Sequence, residues 1–210
     1  MKEIIIVGAG GFGRELLQWI KDINKIENRW IIKGFIDDNL SALDNCKCDY
    51  KVIGKVKEWQ PEENEVFACA IANPKTKENV VKNLKAKGAK FESIIHPKAI
   101  IGGFNKIGEG IVIYPGARLT VNITIGKFVT LLSSGIGHDV QIGDFSTISS
   151  HCGVNGKTKL GKRVFLGSNS TIAPGRRIGD DVYIGAGSVV IRNIKSCSKV
   201  FGNPARVINI

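Results

Sequence analysis

The sequence predicts an α/β domain with a parallel sheet, followed by a parallel β-helix. Residues 1–95 alternate apolar runs of strand length with amphipathic segments of helix length, as βαβ units do. From residue 99 onward the period changes, and an aliphatic residue recurs at every sixth position. A chain of 210 residues is long enough to bury a core in each part.

The first part begins with a short apolar run, Glu3 to Val7, which ends in glycine and predicts a buried strand. The next segment carries Leu16, Leu17 and Ile20 at helical spacing. Continuing in this way, we predict strands over 3–7, 30–36, 50–53, 66–71 and 90–95, and helices over 12–23 and 74–87. These elements form a small βαβ domain.

The second part is defined by sixteen aliphatic positions in two arrays of constant phase. They are Ile101, Ile107, Ile113, Leu119, Ile125 and Leu131, and then Ile136, Ile142, Ile148, Val154, Leu160, Leu166, Ile172, Ile178, Ile184 and Val190. Between the arrays the register slips by one residue. Hexapeptide repeats are typical of parallel β-helices, in which each coil stacks on the next and the aliphatic side chains form an inner column. Three hexads per triangular coil give about five coils.

The composition excludes several classes of protein. The formal net charge of +11 suits a polyanionic partner, but the basic residues are scattered and no zinc-finger or RNA-binding motif is present. We therefore expect phosphorylated small molecules rather than nucleic acid. Five cysteines, an odd number, argue against a disulfide framework, and no apolar run reaches the length of a membrane span. The glycine-rich segment 8–13 interrupts the N-terminal apolar run, so we expect no signal peptide and a reducing, cytoplasmic location.

A glycine-rich loop, Gly8-x-Gly10-x-x-Gly13, follows the first predicted strand and opens the first predicted helix. This is the context of a Rossmann-like dinucleotide fingerprint, in which backbone amides at a helix N-terminus bind a diphosphate. Asp37 and Asp38 end the second strand, where a ribose-binding acid lies in such domains. An NAD-binding domain is therefore one interpretation, although the domain is short and no dehydrogenase domain follows it.

Of the three histidines, His138 is the best candidate for a catalytic base. It falls two positions after the inward-facing Ile136, away from the core column, and Asp139 follows it directly. Histidine titrates near neutral pH and is the usual general base for proton removal from an attacking amine or hydroxyl. His96 lies at the junction of the two parts and is most simply a linker residue, and His151 is most simply a surface residue of a coil.

Four segments together resemble a known family. They are I-V-G-A-G-G-F-G (6–13), G-F-I-D-D (34–38), G-H-D-V-Q-I-G-D-F-S-T-I-S (137–149) and V-F-G-N-P-A-R (200–206). The repeat resembles that of left-handed β-helix acyltransferases. The whole chain resembles bacterial sugar acetyltransferases of the bacillosamine-pathway N-acetyltransferase and sialic-acid O-acetyltransferase-like type. The left hand of the coil comes from this resemblance alone.

The resemblance implies a homotrimer that binds acetyl-CoA between neighbouring β-helices and needs no metal. His138 is then the general base and Asp139 the acid that raises its basicity. Gly156 matches a glycine whose amide stabilises the oxyanion, although a plain tight corner is an equal alternative. Some members have a second histidine that contacts the acetyl group. Here Thr147 occupies that position, and His151, four residues on, is a possible substitute.

For the acceptor, the resemblance implies that the glycine loop holds a nucleotide sugar instead of NAD. The matching positions are Gly10, Gly11, Phe12 and Asn73, to which we add Asp37 and Asp38 as carboxylates that would hold a cationic amino group. Basic residues in or after the last coils are candidate contacts for the phosphates of acetyl-CoA: Lys157, Lys159, Arg163, Arg176, Arg177 and Arg206.

We therefore expect three regions. Residues 1–95 form a Rossmann-like, acceptor-binding domain, residues 96–193 a left-handed β-helix with the catalytic site, and residues 194–210 a C-terminal tail. The expected function is N-acetylation of a nucleotide-linked amino sugar for bacterial surface glycans. The alternatives are O-acetylation of a sugar hydroxyl on the same scaffold and a β-helix without catalytic activity. A γ-class carbonic anhydrase would need three zinc-binding histidines on the β-helix, which has two.

Overall fold

The computed structural model describes residues 1–208 and divides into two compact units, the first of them Met1–His96 and the second starting at Pro97. The first unit is the expected α/β domain and the second the expected parallel β-helix. In the described part of the chain, no helix is both long and apolar enough to cross a membrane.

The first unit contains a four-stranded parallel sheet in the order β3-β2-β1-β4. The elements of the unit are β1 (Lys2–Val7), α1 (Gly11–Glu27), β2 (Trp30–Ile36), β3 (Val52–Gly54), β4 (Glu65–Cys69), α2 (Pro74–Ala86) and β5 (Ile94–Ile95). All five residues of β4 are buried, as expected for a strand of a parallel sheet that is covered on both sides.

The core of this unit is assembled from residues far apart in the sequence. Ile5, Ile36 and Phe67 on the sheet pack with Leu84 of α2, and each is almost fully buried. Complete burial of one such side chain contributes about 1.5–3 kcal/mol relative to exposure. The sheet and α2 are therefore held together by long-range packing.

Helix α1 is longer than predicted because its C-terminal end is capped. It continues past Ile23 to Glu27, and Asn28 adopts a left-handed conformation. The side chain of Asn24 accepts hydrogen bonds from the amides of Arg29 and Trp30, at 3.1 and 3.0 Å, which extends the helix and turns the chain into β2. The predicted strand 90–95 is reduced to β5, and Phe91 forms only an isolated bridge with Phe67.

The second unit is built from two-residue strands joined by tight corners. The strands are β6 (Ile100–Ile101), β7 (Lys106–Ile107), β8 (Val112–Ile113), β9 (Arg118–Leu119), β10 (Thr124–Ile125), β11 (Thr130–Leu131), β12 (Gly135–Ile136), β13 (Gln141–Ile142), β14 (Thr147–Ile148), β15 (Gly153–Val154), β16 (Lys159–Leu160), β17 (Phe165–Leu166), β18 (Thr171–Ile172), β19 (Arg177–Ile178), β20 (Tyr183–Ile184), β21 (Val189–Val190), β22 (Lys199–Phe201) and β23 (Arg206–Val207).

These strands form three faces of a triangular coil. Face 1 contains β6, β9, β12, β15, β18 and β21; face 2 contains β7, β10, β13, β16 and β19; face 3 contains β8, β11, β14, β17, β20, β22 and β23. Every pairing within the faces is parallel except that of β22 with β23. Of the sixteen aliphatic positions, all but Ile101 and Ile107 in the first coil are buried. The predicted inner column is thus confirmed.

The register slip predicted between the two arrays is a short corner. Leu132, Ser133 and Ser134 connect β11 on face 3 to β12 on face 1, whereas four residues form the equivalent corner one coil later. That later corner contains His151 with a φ of 60°, but none of the three residues of the short corner has a positive φ. The short corner has therefore lost the residue that occupies the left-handed conformation.

The stacking continues beyond residue 193. Strand β22 pairs with β20, and β23 folds back on β22. On the outside of face 3, the ring of Tyr183 stacks on Phe165 at 5.0 Å between centroids and contacts Phe201 at 5.7 Å. The part of the C-terminal region that the structure describes, 194–208, is therefore ordered against the last coils.

Candidate active site

His138 and Asp139 lie at the corner between face 1 and face 2, directly after β12. The Nδ1 nitrogen of His138 is 2.8 Å from Oδ2 of Asp139, and the two side chains are 58% and 43% exposed. The hydrogen bond from His138 lowers the pKa of Asp139, so the carboxylate is ionised at neutral pH. An ionised carboxylate accepts a hydrogen bond from Nδ1–H, which leaves Nε2 as the basic nitrogen.

The repeat holds this pair in place. Asp139 has a φ of 60°, and the equivalent corner residues one coil before and one coil after, Asn122 and Lys157, have φ values of 58° and 61°. The amide of Asp139 donates to the carbonyl of Val121 at 3.1 Å, and the amide of Lys157 donates to the carbonyl of His138 at 2.8 Å. A hydrogen bond with Asn122 and the charge of Lys157 also lower the pKa of Asp139. Asn122 and Lys157 are thus neighbours of the His138–Asp139 pair. Both could have been predicted from the sequence, because each lies one coil of the repeat away from Asp139.

Gly156 lies directly against the imidazole of His138. A Cβ atom at position 156 would be 2.5 Å from Nε2 and 2.7 Å from Cε1 of that ring. Any side chain there would displace the ring, so glycine is required for this packing. Within the described residues 1–208, the amide of Gly156 donates no hydrogen bond, which leaves it available to an oxyanion.

The structure does not bring Thr147 or His151 to this corner. Thr147 begins β14 on face 3 and is 1% exposed, while His151 is exposed at the corner between face 3 and face 1. Thr147 follows His138 by nine positions, about half a coil, so it lies on another side of the triangle. Within one chain neither residue can share an acetyl group with His138.

Face 2 presents basic side chains beside the corners that hold His138 and Gly156. Lys159 and Arg177 begin β16 and β19 and, with Lys195, line a surface cavity of about 640 Å³. By contrast, Arg163 forms a two-pronged ion pair with Asp181, both distances being 2.8 Å. Of the basic candidates from the sequence, Lys159 and Arg177 lie together in one cavity, and Arg163 is already paired.

In the first unit, the glycine loop forms the expected turn into α1. A Cβ atom on Gly13 would overlap the carbonyl oxygen of Gly8, so the helix can approach the strand only with glycine at this position. Gly10 is the N-cap residue of α1 and makes no side-chain cap, and Gly11 is the first residue of the helix. Gly10 and Gly11 are exposed and Phe12 is half-buried, so the amides of the two glycines are open to a ligand.

The two aspartates after β2 have different surroundings. Asp37 accepts hydrogen bonds from the amides of Ala9 and Asn39, both at 2.8 Å, and thereby fixes the glycine loop. Asp38 is exposed and lies near Lys57, whose amide is 3.4 Å from Oδ1 and whose Nζ is 3.9 Å from Oδ2. The carboxylate of Asp37 therefore has a structural role in holding the loop, whereas that of Asp38 is exposed and can contact a ligand.

Asn73 is the N-cap of α2, where its side chain accepts a hydrogen bond from the amide of Thr76 at 3.0 Å. This capping bond accounts for an asparagine at position 73 without any ligand. In the first turn of the same helix, Lys77 is 1% exposed, and burial lowers its pKa to about 7, while the nearby Cys69 opposes the shift. Nothing in the spacing of residues along α2 indicated that this lysine is buried.

Among residues 1–208, one group of side chains has the spacing of a metal site: Glu3, Glu62 and Glu65. Its centre is taken by the ammonium group of Lys33, which lies 3.0, 3.4 and 2.7 Å from these three carboxylates in turn. Burial alone would raise the pKa of Glu65, but hydrogen bonds from Lys33 and from the amide of Glu62 outweigh it and lower the pKa. This cluster is an ion-pair network of the first unit.

Comparison with known proteins matches both parts of the chain. A family model described as the PglD N-terminal domain matches residues 3–84, and one described as bacterial transferase hexapeptide (six repeats) matches residues 157–192. GDP-perosamine N-acetyltransferase of Escherichia coli O157:H7 is 30% identical over 216 residues, which cover 96% of this chain and 94% of that protein.

Solved structures agree along the whole chain. WeeI from Acinetobacter baumannii AYE superposes with a TM-score of 0.86 at 27% identity, covering 99% of this chain and 100% of that one. PerB from Caulobacter crescentus, solved in complex with CoA and GDP-perosamine, superposes with a TM-score of 0.88 at 21% identity. The match covers 100% of this chain and 98% of that one. These matches confirm the predicted fold class, an α/β domain followed by a left-handed β-helix.

Proposed function

The chain belongs to the family of nucleotide-sugar N-acetyltransferases that includes the GDP-perosamine enzyme, and from this premise we propose that it transfers the acetyl group of acetyl-CoA to the amino group of a nucleotide-linked sugar. The observation that supports this most directly is the His138–Asp139 pair, exposed at a β-helix corner with the imidazole against Gly156.

In the proposed reaction the sugar amine attacks the carbonyl carbon of the thioester. Nε2 of His138 takes the proton that the amine loses, while Asp139 holds the opposite ring nitrogen and stabilises the imidazolium. The carbonyl oxygen becomes negative in the tetrahedral intermediate, and the amide of Gly156 donates to it. When the intermediate collapses, the C–S bond breaks, the amide is formed, and the proton on His138 passes to the thiolate of CoA.

The basic cavity on face 2 is the proposed site for the phosphates of CoA. Lys159, Arg177 and Lys195 line it. Strand β16, which begins with Lys159, directly follows the corner that holds Gly156, and β19, which begins with Arg177, follows the equivalent corner one coil later. Phosphate oxygens bind such ammonium and guanidinium groups by charge-assisted hydrogen bonds. This position would place the phosphates one face away from the reacting thioester.

The proposed acceptor site is at the N-terminus of α1. A diphosphate there would accept hydrogen bonds from the amides of the exposed residues Gly10 and Gly11 and would gain from the helix dipole. Asp37 contributes indirectly, by holding the loop through Ala9. Asp38 and Asn73 remain candidate acceptor contacts, and the capping bond of Asn73 leaves its side-chain amide NH₂ group for such a contact.

We propose that the enzyme is a homotrimer in the cytoplasm. Thr147 matches the position that contacts the acetyl group in relatives, yet it lies on face 3, away from His138. Because neither Thr147, which is buried, nor His151 lies at the corner of His138 in the same chain, exposed side chains of a neighbouring copy would complete the site. Five cysteines, none of them in a disulfide, suit a reducing compartment.

Acetyl transfer with purified protein tests this function. We expect mass spectrometry to show one acetyl group added to a nucleotide-linked amino sugar, and no addition to the same nucleotide sugar carrying a hydroxyl at that carbon. Acetylation of the hydroxyl compound alone would establish the O-acetyltransferase alternative, and no transfer to any nucleotide sugar would favour a non-catalytic scaffold. Sedimentation velocity should give a trimer, and a fully active monomer would contradict the shared site.

A further inference from the structure

The corner that holds His138 belongs to a column of equivalent corners between face 1 and face 2. One residue of each corner adopts the left-handed conformation, and these residues recur once per coil: Phe104, Asn122, Asp139, Lys157 and Gly175, with φ values of 62°, 58°, 60°, 61° and 71°. Successive coils are about 4.8 Å apart. Asp139 therefore has Asn122 next to it in the coil before and Lys157 next to it in the coil after.

The carboxylate of Asp139 interacts with both of these neighbours as well as with His138. The hydrogen bond from His138 is the largest cause of the lowered pKa of Asp139, and the charge of Lys157 and a hydrogen bond from Asn122 act in the same direction. A carboxylate has two oxygens that accept hydrogen bonds, so Asn122 can bind it without displacing His138. Side chains from three successive coils thus meet at one carboxylate.

The two neighbours act on the imidazole in different ways. The Asp139 side chain is 43% exposed, and a second hydrogen bond restricts it to the rotamer that faces Nδ1 of His138. The ammonium of Lys157 disfavours a further positive charge close by, and protonation of His138 creates one. In the neighbouring corners, residues 120–123 and 155–158, Lys157 is the only titratable side chain. Asp139 and Lys157 are therefore the charges that these stacked corners present to the imidazole.

We propose that Asn122 and Lys157 are positioning residues for the catalytic base. Asn122 holds the carboxylate of Asp139 against His138, which keeps a proton on Nδ1 and leaves Nε2 for the amine of the acceptor. The carboxylate also favours a second proton on the imidazole, and Lys157 opposes this, so the base stays unprotonated to lower pH. Lys157 is thereby assigned to Asp139 and not to a phosphate of CoA. The proposal rests on the proposed function, in which His138 is the base.

Asn122→Gly tests the first assignment. It removes the amide side chain and keeps a residue that accepts the left-handed conformation, as Gly175 does in a later coil. We expect kcat to fall by roughly two- to tenfold, the rate equivalent of one lost hydrogen bond, with both KM values unchanged. Long-range proton–nitrogen NMR spectra of the free protein should show the His138 ring changing from the Nδ1–H tautomer to a mixture. Phe104→Gly, at the same repeat position, is the control and should change neither quantity.

Lys157→Met tests the second assignment. Loss of the positive charge makes His138 easier to protonate, so the midpoint of its NMR titration and the acid limb of the kcat/KM profile should move up by roughly 0.2–0.7 pH unit. The shift should shrink at about 1 M salt, and Lys157→Arg should restore the parent midpoint. Acetyl-CoA affinity, measured by calorimetry, should stay within about twofold of the parent. Lys106→Met removes an exposed lysine from the first coil and, as the matched control, should leave the midpoint unmoved.

The readouts separate the possible outcomes. An unchanged tautomer and an unchanged kcat in Asn122→Gly would overturn the role of Asn122. An unmoved midpoint in Lys157→Met would overturn the role of Lys157, and weaker acetyl-CoA binding in that variant would make it a phosphate contact instead. The NMR measurements need no acetyl transfer. If they give the expected results while no nucleotide sugar is acetylated, the proposed function fails and the positioning of the imidazole stands.

Discussion

The two units differ in how sequence determines the position of a side chain. In the β-helix, Asn122, Asp139 and Lys157 occupy successive coils because they are 17 and 18 residues apart. In the α/β unit, neighbours such as Ile5, Phe67 and Leu84 meet only because the whole sheet and α2 have assembled. A position in the repeat is thus known by counting, whereas a position in the first unit depends on packing between distant segments.

This difference affects what a substitution reports. In the β-helix, the same repeat position recurs in other coils, so each proposed catalytic position has a natural control elsewhere in the chain. In the α/β unit a substitution changes one member of a unique core, and its control must be chosen by burial instead.

The largest effect is expected from His138→Ala, which tests whether the repeat positions a catalytic base. Loss of a positioned base should lower kcat by about 10²–10⁴-fold. Acetyl-CoA affinity should change little, because the proposed role of the imidazole is to take the acceptor's proton and not to bind the donor. Steady-state kinetics and calorimetric titration with acetyl-CoA measure the two quantities.

His151→Ala is the control, because His151 is an exposed histidine at another corner. It should keep kcat within about threefold of the parent, since it lacks the position a general base needs. A His138→Ala enzyme within that same range would remove His138 from the mechanism. A large loss in His151→Ala would show that a second chain brings this residue to the site.

A smaller effect is expected from Gly156→Ala, which sharpens the comparison within the repeat itself. The new methyl group would lie 2.5 Å from Nε2 of His138 in the present geometry and must displace the ring. A shift of about 1 Å in a catalytic group can cost about a hundredfold, so we expect kcat to fall by roughly ten- to a hundredfold.

Gly103→Ala is matched to it, because Gly103 also lies two positions after an aliphatic of the repeat, Ile101, and a Cβ there meets nothing within 4 Å. This variant should keep the parent's kcat. Equal losses in the two variants would mean that glycine at this repeat position serves the coil and not the imidazole.

The smallest effect concerns the first unit and is seen in stability. The pKa of Lys77 is about 7 in the folded protein, against 10.5 for an ordinary lysine. Between these values the unfolded chain binds more protons than the folded one, so the Lys77 contribution to stability rises with pH from about 7 to 10.5 and is lost as pH falls to 7. Lys77→Met should remove this dependence. Between pH 7 and 9.5, the Tm of the parent should rise by roughly 5 °C relative to that of the variant.

Lys75→Met is the control, because Lys75 is exposed in the same turn of α2 and its loss should leave the pH dependence of Tm as in the parent. Thermal melts followed by circular dichroism give both curves. Parallel curves for the parent and Lys77→Met would contradict the lowered pKa of Lys77. They would mean that other contacts stabilise the protonated lysine in the folded protein.

The fold could be predicted in most respects because its signals are local. Sixteen aliphatics in phase indicated the β-helix, and even the short corner was visible as a slip between Leu131 and Ile136. The ends of α1 and β5 were missed, because the cap by Asn24 and the pairing of Phe91 with Phe67 depend on particular contacts.

In the candidate site, too, some features could be predicted from the sequence and others depend on the folded structure. The adjacency of His138 and Asp139 followed from the sequence, but the packing of the imidazole on Gly156 did not, because it requires the coil to be closed. Nothing in the sequence distinguished Asp37, bonded to Ala9, from Asp38, which lines a groove. Such differences arise from three-dimensional packing. The first unit has no sequence repeat from which the position of a side chain could be predicted.

The short corner at Leu132–Ser134 bears on how this protein can change over evolutionary time. In a flat sheet a one-residue deletion inside a strand reverses every following side chain, but here the missing residue comes from a bend and all later coils keep their inward column. A one-residue deletion at a bend therefore leaves the fold intact and can persist during evolution. Natural relatives should differ in length at bends of the coil far more often than within its two-residue strands.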